Sequence, residues 1–351
     1  MNIFIGHLSA LGFYLNARAN NILEIVNNKG NNILGADIYT PEVNKWQLML
    51  SNISPNPKHT TKTWDVIKQS IPYIDFNNKL DILISRKVNQ NKNTKVNYHL
   101  WTKRLPPYSF IKVANGIYIA SPELLFFQLA DIFSVEELII IGMEFCGTYA
   151  INKSNSNILV ANIPPLTTPS RIRRYLSSLK NLNKNIRGIN KAINAAKYLE
   201  ANSASPKETS LYTMLCAPRH LGGYGLTGFK LNKSIKLSKK ASNILGYSTI
   251  KPDLSNPKNK IALEYDSNTF HDNEGQNTKD KLRLDALHND GWTVLNYVPA
   301  LMNNMSAFDT LAKKILYLNK QDTRINTKNF EEKRRSLISA IKRMDKIQTI
   351  T

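Results

Sequence analysis

Period-two alternation of apolar and polar residues is clearest in IALEY, where Ile261, Leu263 and Tyr265 fall on one face of a predicted strand. Ala262, Glu264 and, one step further, Asp266 fall on the other face. Upstream, LGYSTIKPDLS reads as a second extended segment, and Pro257-Lys258-Asn259-Lys260 as the turn that joins the two. A turn centred between Lys258 and Asn259 places Asp253 directly opposite Glu264. Cross-strand partners share a face, as do residues two apart, so Asp253, Glu264 and Asp266 are expected to project together.

Elsewhere the spacing is helical. Ser121-Pro122-Glu123 starts a helix through LLFFQLADIF, and Ser134 with Glu137 three residues later starts another from about Val135 to Phe145. Between Tyr98 and Ser121, short strands are split by Pro106-Pro107 and turned at Asn115-Gly116. Thr168-Pro169 opens basic helices over 170–199, and Ser205-Pro206 opens KETSLYTMLCAP. After the polar loop HDNEGQNTKD, a helix runs to about Asp290, Gly291 stops it, WTVLNYV is a strand and Ser306 to Leu318 a final amphipathic helix. The organisation expected is a mixed, mainly helical N-terminal domain (1–165), a basic helical linker (166–200), an α/β or α+β domain (201–318) and a basic helical tail (319–351). The tail helix carries Leu337, Ile338, Ile341 and Met344 on one side, and docking on the protein's own surface is expected.

At 351 residues and 42% apolar content the chain can bury a sizeable core. Its 47 Lys plus Arg against 26 Asp plus Glu leave +21, which points to a polyanionic partner, although AT-rich coding also enriches lysine. The 55 residues from Phe145 to Leu199 bear more on this point, since they hold nine Lys/Arg and no acid. Among those cations Arg171, Arg173, Arg174, Lys180 and Lys184 are candidates for phosphate contact, with DNA the expected partner. Cys146 and Cys216 offer neither a disulfide framework nor a CxxC zinc site, and a reducing cytoplasm is the expected setting. MNIFIGHLSALGF lacks the basic start of a signal peptide, and acids interrupt the apolar run from Leu124 to Phe145, so no membrane segment is expected.

Three carboxylates on one sheet face repel one another unless a cation joins them, and oxygen donors of this kind suit Mg²⁺ or Mn²⁺. Metal between an Asp on one strand and a Glu on its neighbour suits phosphodiester hydrolysis, and His271 is placed to move a proton. The bland alternatives are a salt-bridged strand edge for Glu264 and Asp266 and a solvated loop histidine. His7, His59, His99, His220 and His288 show no partners and read as structural or solvated.

PDLSNPKNKIALEYDSNTFH, followed by Asp280-x-x-Arg283, Leu287, Gly291-Trp292 and Val294, resembles the Vsr-like endonuclease domain of the PD-(D/E)xK nuclease superfamily. Ser205-Pro206-Lys207-Glu208 resembles that family's S-P-x-E helix. The likeness covers about 100 residues, from roughly 200 to 300. A weaker one joins SALGFY, YHLWTKRLPPYSF, GIYIASPELLFFQLA and IGMEFCGTY to the region that precedes this nuclease in proteins similar to abortive-infection-type antitoxins, without their winged helix. The resemblance implies a restriction-endonuclease-like mixed sheet flanked by helices and Mg²⁺-dependent cleavage of DNA, in defence or repair. Asp253 and Glu264, with the main chain of Tyr265, would hold the metal. Glu208 and Asp266 would complete its outer shell, His271 would transfer the proton, and Asp280 and Arg283 would face the site. Asp280 and Arg283 also have the spacing of an ordinary helix-surface pair. Asp266 stands where the superfamily has Lys, and Ser267 where the family has Gly. A catalytically inactive module that binds nucleic acid or a toxin, and a nuclease acting on RNA, are the alternatives.

Overall fold

The computed structural model describes residues 3–20, 79–85, 96–114, 116–152, 158–265, 274–298, 301 and 304–344. It divides into two compact units, Met1–Leu199 with Arg343–Thr351, and Glu200–Lys342. Among the described residues no helix is long and apolar enough to cross a membrane.

In the first unit β1 (Ile3–Ile5), β2 (Leu80–Ile84), β3 (Val96–Leu100), β4 (Phe110–Ala114) and β5 (Ile117–Ala120) form one sheet in the order β3-β2-β1-β5-β4. β1 runs parallel to β5 and β2 parallel to β3, while β1–β2 and β4–β5 are antiparallel. Helix α1 (His7–Ala19) follows β1, and α2 (Pro122–Leu129) and α3 (Val135–Phe145) follow β5. The expected starts are there: Ser121 Oγ accepts from the Leu124 amide, and Ser134 and Glu137 form a reciprocal capping box. β6 (Tyr149–Asn152) and β7 (Ile158–Ala161) make a separate antiparallel pair.

Among the described residues this sheet stands beside the helices of the N-terminal part, expected to be mixed and mainly helical. β1, β2 and β5 are buried along their whole length, so none shows the alternation of a half-exposed strand, and Asp81 alone interrupts their apolar runs. The segment expected as a linker forms α4 (Pro169–Leu182) and α5 (Ile189–Ala196) inside the first unit. Their apolar faces explain why: Ile172, Leu176 and Leu179 of α4 and Ala192, Ala195 and Ala196 of α5 are buried, and Tyr175 Oη lies 2.7 Å from Ser109 Oγ.

Two of the charged groups buried here are held by several partners. Arg18, 2% exposed, donates to the carbonyls of Glu144 (2.7 Å) and Gly147 (2.8 Å). Asp81, inside β2, takes His99 Nε2 at 2.7 Å, the Asn97 amide at 3.2 Å and the Ser9 main-chain amide at 3.2 Å. The His7 ring stacks on His99 with centroids 3.6 Å apart. These two histidines, expected to lack partners, therefore belong to one polar cluster.

Burial foremost, and then the charge of His99, push the His7 imidazole down to about 3, against the pull of Asp81. A histidine kept neutral by the fold contributes stability above its unfolded value, near 6.5, and loses it as the pH falls towards the folded value. The full chain is therefore expected to lose resistance to urea between pH 6.5 and 4. His7→Asn should flatten that slope, because asparagine tolerates the local φ of 49° and does not titrate. Urea midpoints at the two pH values check it; an unchanged slope in the variant would refute it.

The second unit opens with α6 (Pro206–Cys216) and continues through β8 (Lys230–Leu231), β9 (Ile235–Lys236), α7 (Lys239–Leu245), β10 (Thr249–Ile250), β11 (Leu254–Asn256) and β12 (Ile261–Tyr265). Then come α8 (Glu274–Asn289), β13 (Thr293–Tyr297), α9 (Met305–Leu318) and α10 (Phe330–Met344). A mixed sheet has the order β13-β12-β11-β8, antiparallel except for the parallel pair β12–β13, and β9–β10 form a small antiparallel pair. Gly291, at φ 77°, supplies the left-handed residue between α8 and β13. The extended segment expected before the turn is divided: its first part pairs with β9, and only Leu254–Asn256 pairs with β12.

Up to Lys342 the tail helix α10 lies on this unit's own surface. Leu337 is fully buried, and Phe330 packs edge-on to Tyr224 with ring centroids 5.7 Å apart. Arg334, 6% exposed, binds Asp309, Glu331 (2.6 Å) and the Tyr224 hydroxyl (2.9 Å). Gly222 lets α10 approach, since a Cβ there would meet the Lys333 carbonyl oxygen at 2.5 Å. Of the two cysteines, Cys146 is buried in the first unit. Cys216 ends α6, and burial, followed by the charge of Glu200, pushes its thiol far above the usual range.

Candidate active site

The β11–β12 hairpin fixes the first two carboxylates. Leu254 pairs with Leu263, Ser255 with Ala262 and Asn256 with Ile261, so one further step in the same register sets Asp253 against Glu264. Asp253 precedes the first residue of β11, and its carbonyl accepts from the Asn232 amide at 3.0 Å. Its own main-chain amide donates to the Glu264 carboxylate.

Glu264 is held in a half-closed setting. Its side chain is 18% exposed, and Arg283 Nη2, from α8, reaches its Oε1 at 2.9 Å. Burial raises the Glu264 carboxyl to about 7; Arg283 pulls it down and the charge of Asp253 pushes it further up. Lys251 O lies 3.4 Å from the same Nη2, so Arg283 ties α8 to the chain leading into β11.

Glu208 comes to this group from the first turn of α6. Ser205 Oγ accepts the Glu208 amide at 3.2 Å, capping the helix, while the Glu208 carboxylate takes the Ala204 amide (2.8 Å) and the Ser205 hydroxyl (3.1 Å). Asn232 Nδ2 donates to it at 2.5 Å. Burial raises the Glu208 carboxyl, these hydrogen bonds oppose the rise, and the Asp253 charge adds to it. Asp253 thus acts electrostatically on both glutamates.

Asn232 is the residue the sequence did not single out. It bonds the Asp253 carbonyl through its main chain and Glu208 through its side chain, from a left-handed φ of 46°. Asparagine is among the residues that adopt that conformation most readily, and this is the only local signal it carries.

The other expected site residues are placed as follows. Asp266, Ser267 and His271 lie outside the described residues. Tyr265 ends β12 in register with Tyr297, and Asp280 lies within α8; nothing is described of either side chain. Among the described residues no three His, Cys, Asp or Glu stand close enough to hold a metal ion. The donor set is nonetheless all oxygen, and the mutual charge of Asp253, Glu208 and Glu264 is of the kind that a hard cation relieves. Arg283 supplies that positive charge in the fold.

The basic residues of the first unit divide in two. Arg171 pairs with the buried Glu123 at 3.0 Å, Arg173 donates to the Ala196 carbonyl at 3.0 Å, and Lys180 Nζ lies 3.4 Å from Asn190 Oδ1. Arg174 and Lys184 are exposed. The acid-free stretch is therefore partly a device for tying α4 and α5 to their unit. No protein-family model, curated protein or solved structure matches the chain.

Proposed function

We propose that the protein is a Mg²⁺- or Mn²⁺-dependent endonuclease that hydrolyses DNA phosphodiester bonds at Asp253 and Glu264. The observation that carries this reading is the β11–β12 register, which one step further sets Asp253 against Glu264, with Glu208 of α6 also near enough for the charge of Asp253 to raise its carboxyl. Carboxylates concentrated in a half-buried place are the setting in which a divalent cation binds and hydrolytic chemistry follows. The chain order adds support. Three antiparallel strands, β8, β11 and β12, are followed by α8 and by β13 parallel to β12, with α6 preceding them, a layout that fits the restriction-endonuclease-like sheet which the resemblance implies.

Asp253 and Glu264 would hold the ion with the main chain of Tyr265. When bound, the ion supplies an activated water and neutralises charge on the non-bridging oxygens. Glu208, fixed by Ser205, Ala204 and Asn232, completes the outer shell with Asp266. Arg283 orients Glu264 and presents its remaining N–H groups to a phosphate oxygen. His271 moves the proton. Arg174, Lys184 and their neighbours hold the backbone without reading sequence. A role in defence or repair belongs to this proposal on the resemblance alone.

The competing reading, an inactive nucleic-acid- or toxin-binding module, draws on the Arg283–Glu264 ion pair, which already neutralises one of the two metal ligands. Incubation of the protein with plasmid, single-stranded DNA and RNA separates the readings. DNA cleavage is expected with Mg²⁺ and none with EDTA. Binding without cleavage on every substrate would overturn the enzyme, and cleavage confined to RNA would change its substrate.

A further inference from the structure

The far end of the β11–β12 hairpin carries a second feature, roughly 10 Å along the strands from Asp253 and Glu264. It is a cleft of about 810 Å³ bordered by Lys233, Lys258 and Lys320, with no carboxylate in its lining. A fourth lysine there, Lys230, is matched by Glu200 at 2.8 Å. The other three are exposed, and among the described residues no ion pair neutralises them.

The floor of the cleft is a closed carboxamide network. Asn256, 3% exposed, donates to Asn319 Oδ1 at 2.7 Å and accepts the main-chain amides of Lys258 (3.1 Å) and Asn259 (3.3 Å). Asn259 Nδ2 also reaches Asn319 Oδ1 at 2.7 Å, and Asn319, 6% exposed, donates to the Thr227 carbonyl (3.0 Å) and to Gln321 (2.5 Å). Gln321 Oε1 in turn accepts from the Thr227 amide at 3.0 Å. Two of the three unpaired lysines are neighbours of network residues: Lys258 sits between Asn256 and Asn259, and Lys320 between Asn319 and Gln321. Satisfied buried networks of this kind are rigid, so the main chain that carries these ammonium groups is fixed before any ligand arrives. Like charges converging on a preorganised polar cleft favour an anion, since little ordering remains to be done on binding. The volume lies within the usual range for small-molecule sites.

We propose that this cleft binds phosphate groups, with Lys233, Lys258 and Lys320 as the contacting cations. The phosphates come either from a nucleic-acid backbone or from a free polyphosphate. The inference does not depend on the carboxylates at the other end of the hairpin being catalytic.

The test uses the full chain and two probes, a fluorescent single-stranded decanucleotide and inorganic triphosphate, in anisotropy and calorimetry without divalent metal. Lys258→Gln/Lys320→Gln is expected to weaken at least one probe about tenfold. Lys239→Gln/Lys240→Gln removes the same charge from the exposed start of α7 and is expected to leave affinity unchanged. Loss with the oligonucleotide alone assigns the backbone, and loss with triphosphate alone assigns the free ligand. Equal loss in both double variants, or none in the first, would overturn the site. Asp253→Ala should not alter triphosphate binding, which separates this result from the fate of the nuclease reading.

Discussion

Asp253→Ala should lower Mg²⁺-dependent cleavage by about 1,000-fold, roughly 4 kcal/mol of lost transition-state stabilisation, while DNA binding is kept or tightened. The charge of Asp253 raises both neighbouring glutamates, so its removal leaves less repulsion in the site and less repulsion towards phosphate. The fold should tolerate the change, because Glu264 keeps its ion pair to Arg283. Glu264→Gln makes a complementary test: cleavage should fall as far, and DNA affinity should rise because Arg283 loses its carboxylate partner. Cleavage rates and anisotropy on one duplex substrate give both readouts. Cleavage by Asp253→Ala within tenfold of the natural protein would sink the proposed role of this residue, and parallel loss of cleavage and binding would make it structural.

The second large effect is on stability. Arg334→Ala should destabilise the second unit by about 3 kcal/mol, since it removes a buried cation from two carboxylates and a hydroxyl. The Tyr224 hydroxyl still donates to Asp309, so that carboxylate, 28% exposed, stays solvated on one side. For this reason the loss belongs at the lower end of what breaking a buried pair costs. Arg334→Lys should recover only part of it, because an ammonium lacks the guanidinium fork that reaches Asp309 and Glu331 at once. Urea unfolding of the full chain followed by circular dichroism checks the ranking. A variant as stable as the natural chain would mean that α10 is held by its apolar face alone.

Local signals carried much of this fold into the sequence. Ser134 and Glu137, and Thr168 before Pro169, mark helix starts that the structure keeps, because a cap is made within four residues. The hairpin register was legible too, since turn position and alternation over-determine it. The sheet of the first unit was not. β1 is three residues long, wholly buried and paired in parallel with a strand more than 110 residues away, and no local pattern encodes such a pairing. The polar cluster of His7, Asp81 and His99 is hidden for the same reason, its members being brought together by the sheet. In the candidate site, Ser205-Pro206-Lys207-Glu208 reads in two ways at once. The same serine and glutamate cap α6 and place a carboxylate beside Asn232, so the motif alone cannot separate a helix start from a chemical group.

The two native thiols have a practical consequence. Cys146 is buried, and Cys216 is held protonated at neutral pH. The thiolate is the species that reacts with maleimides, so the natural chain should be nearly silent to them. A single cysteine introduced at an exposed position such as Tyr247, 68% exposed, could then carry a fluorophore without prior removal of native residues. Such a reporter would show whether a nucleic acid or a metal ion binds the otherwise unaltered protein.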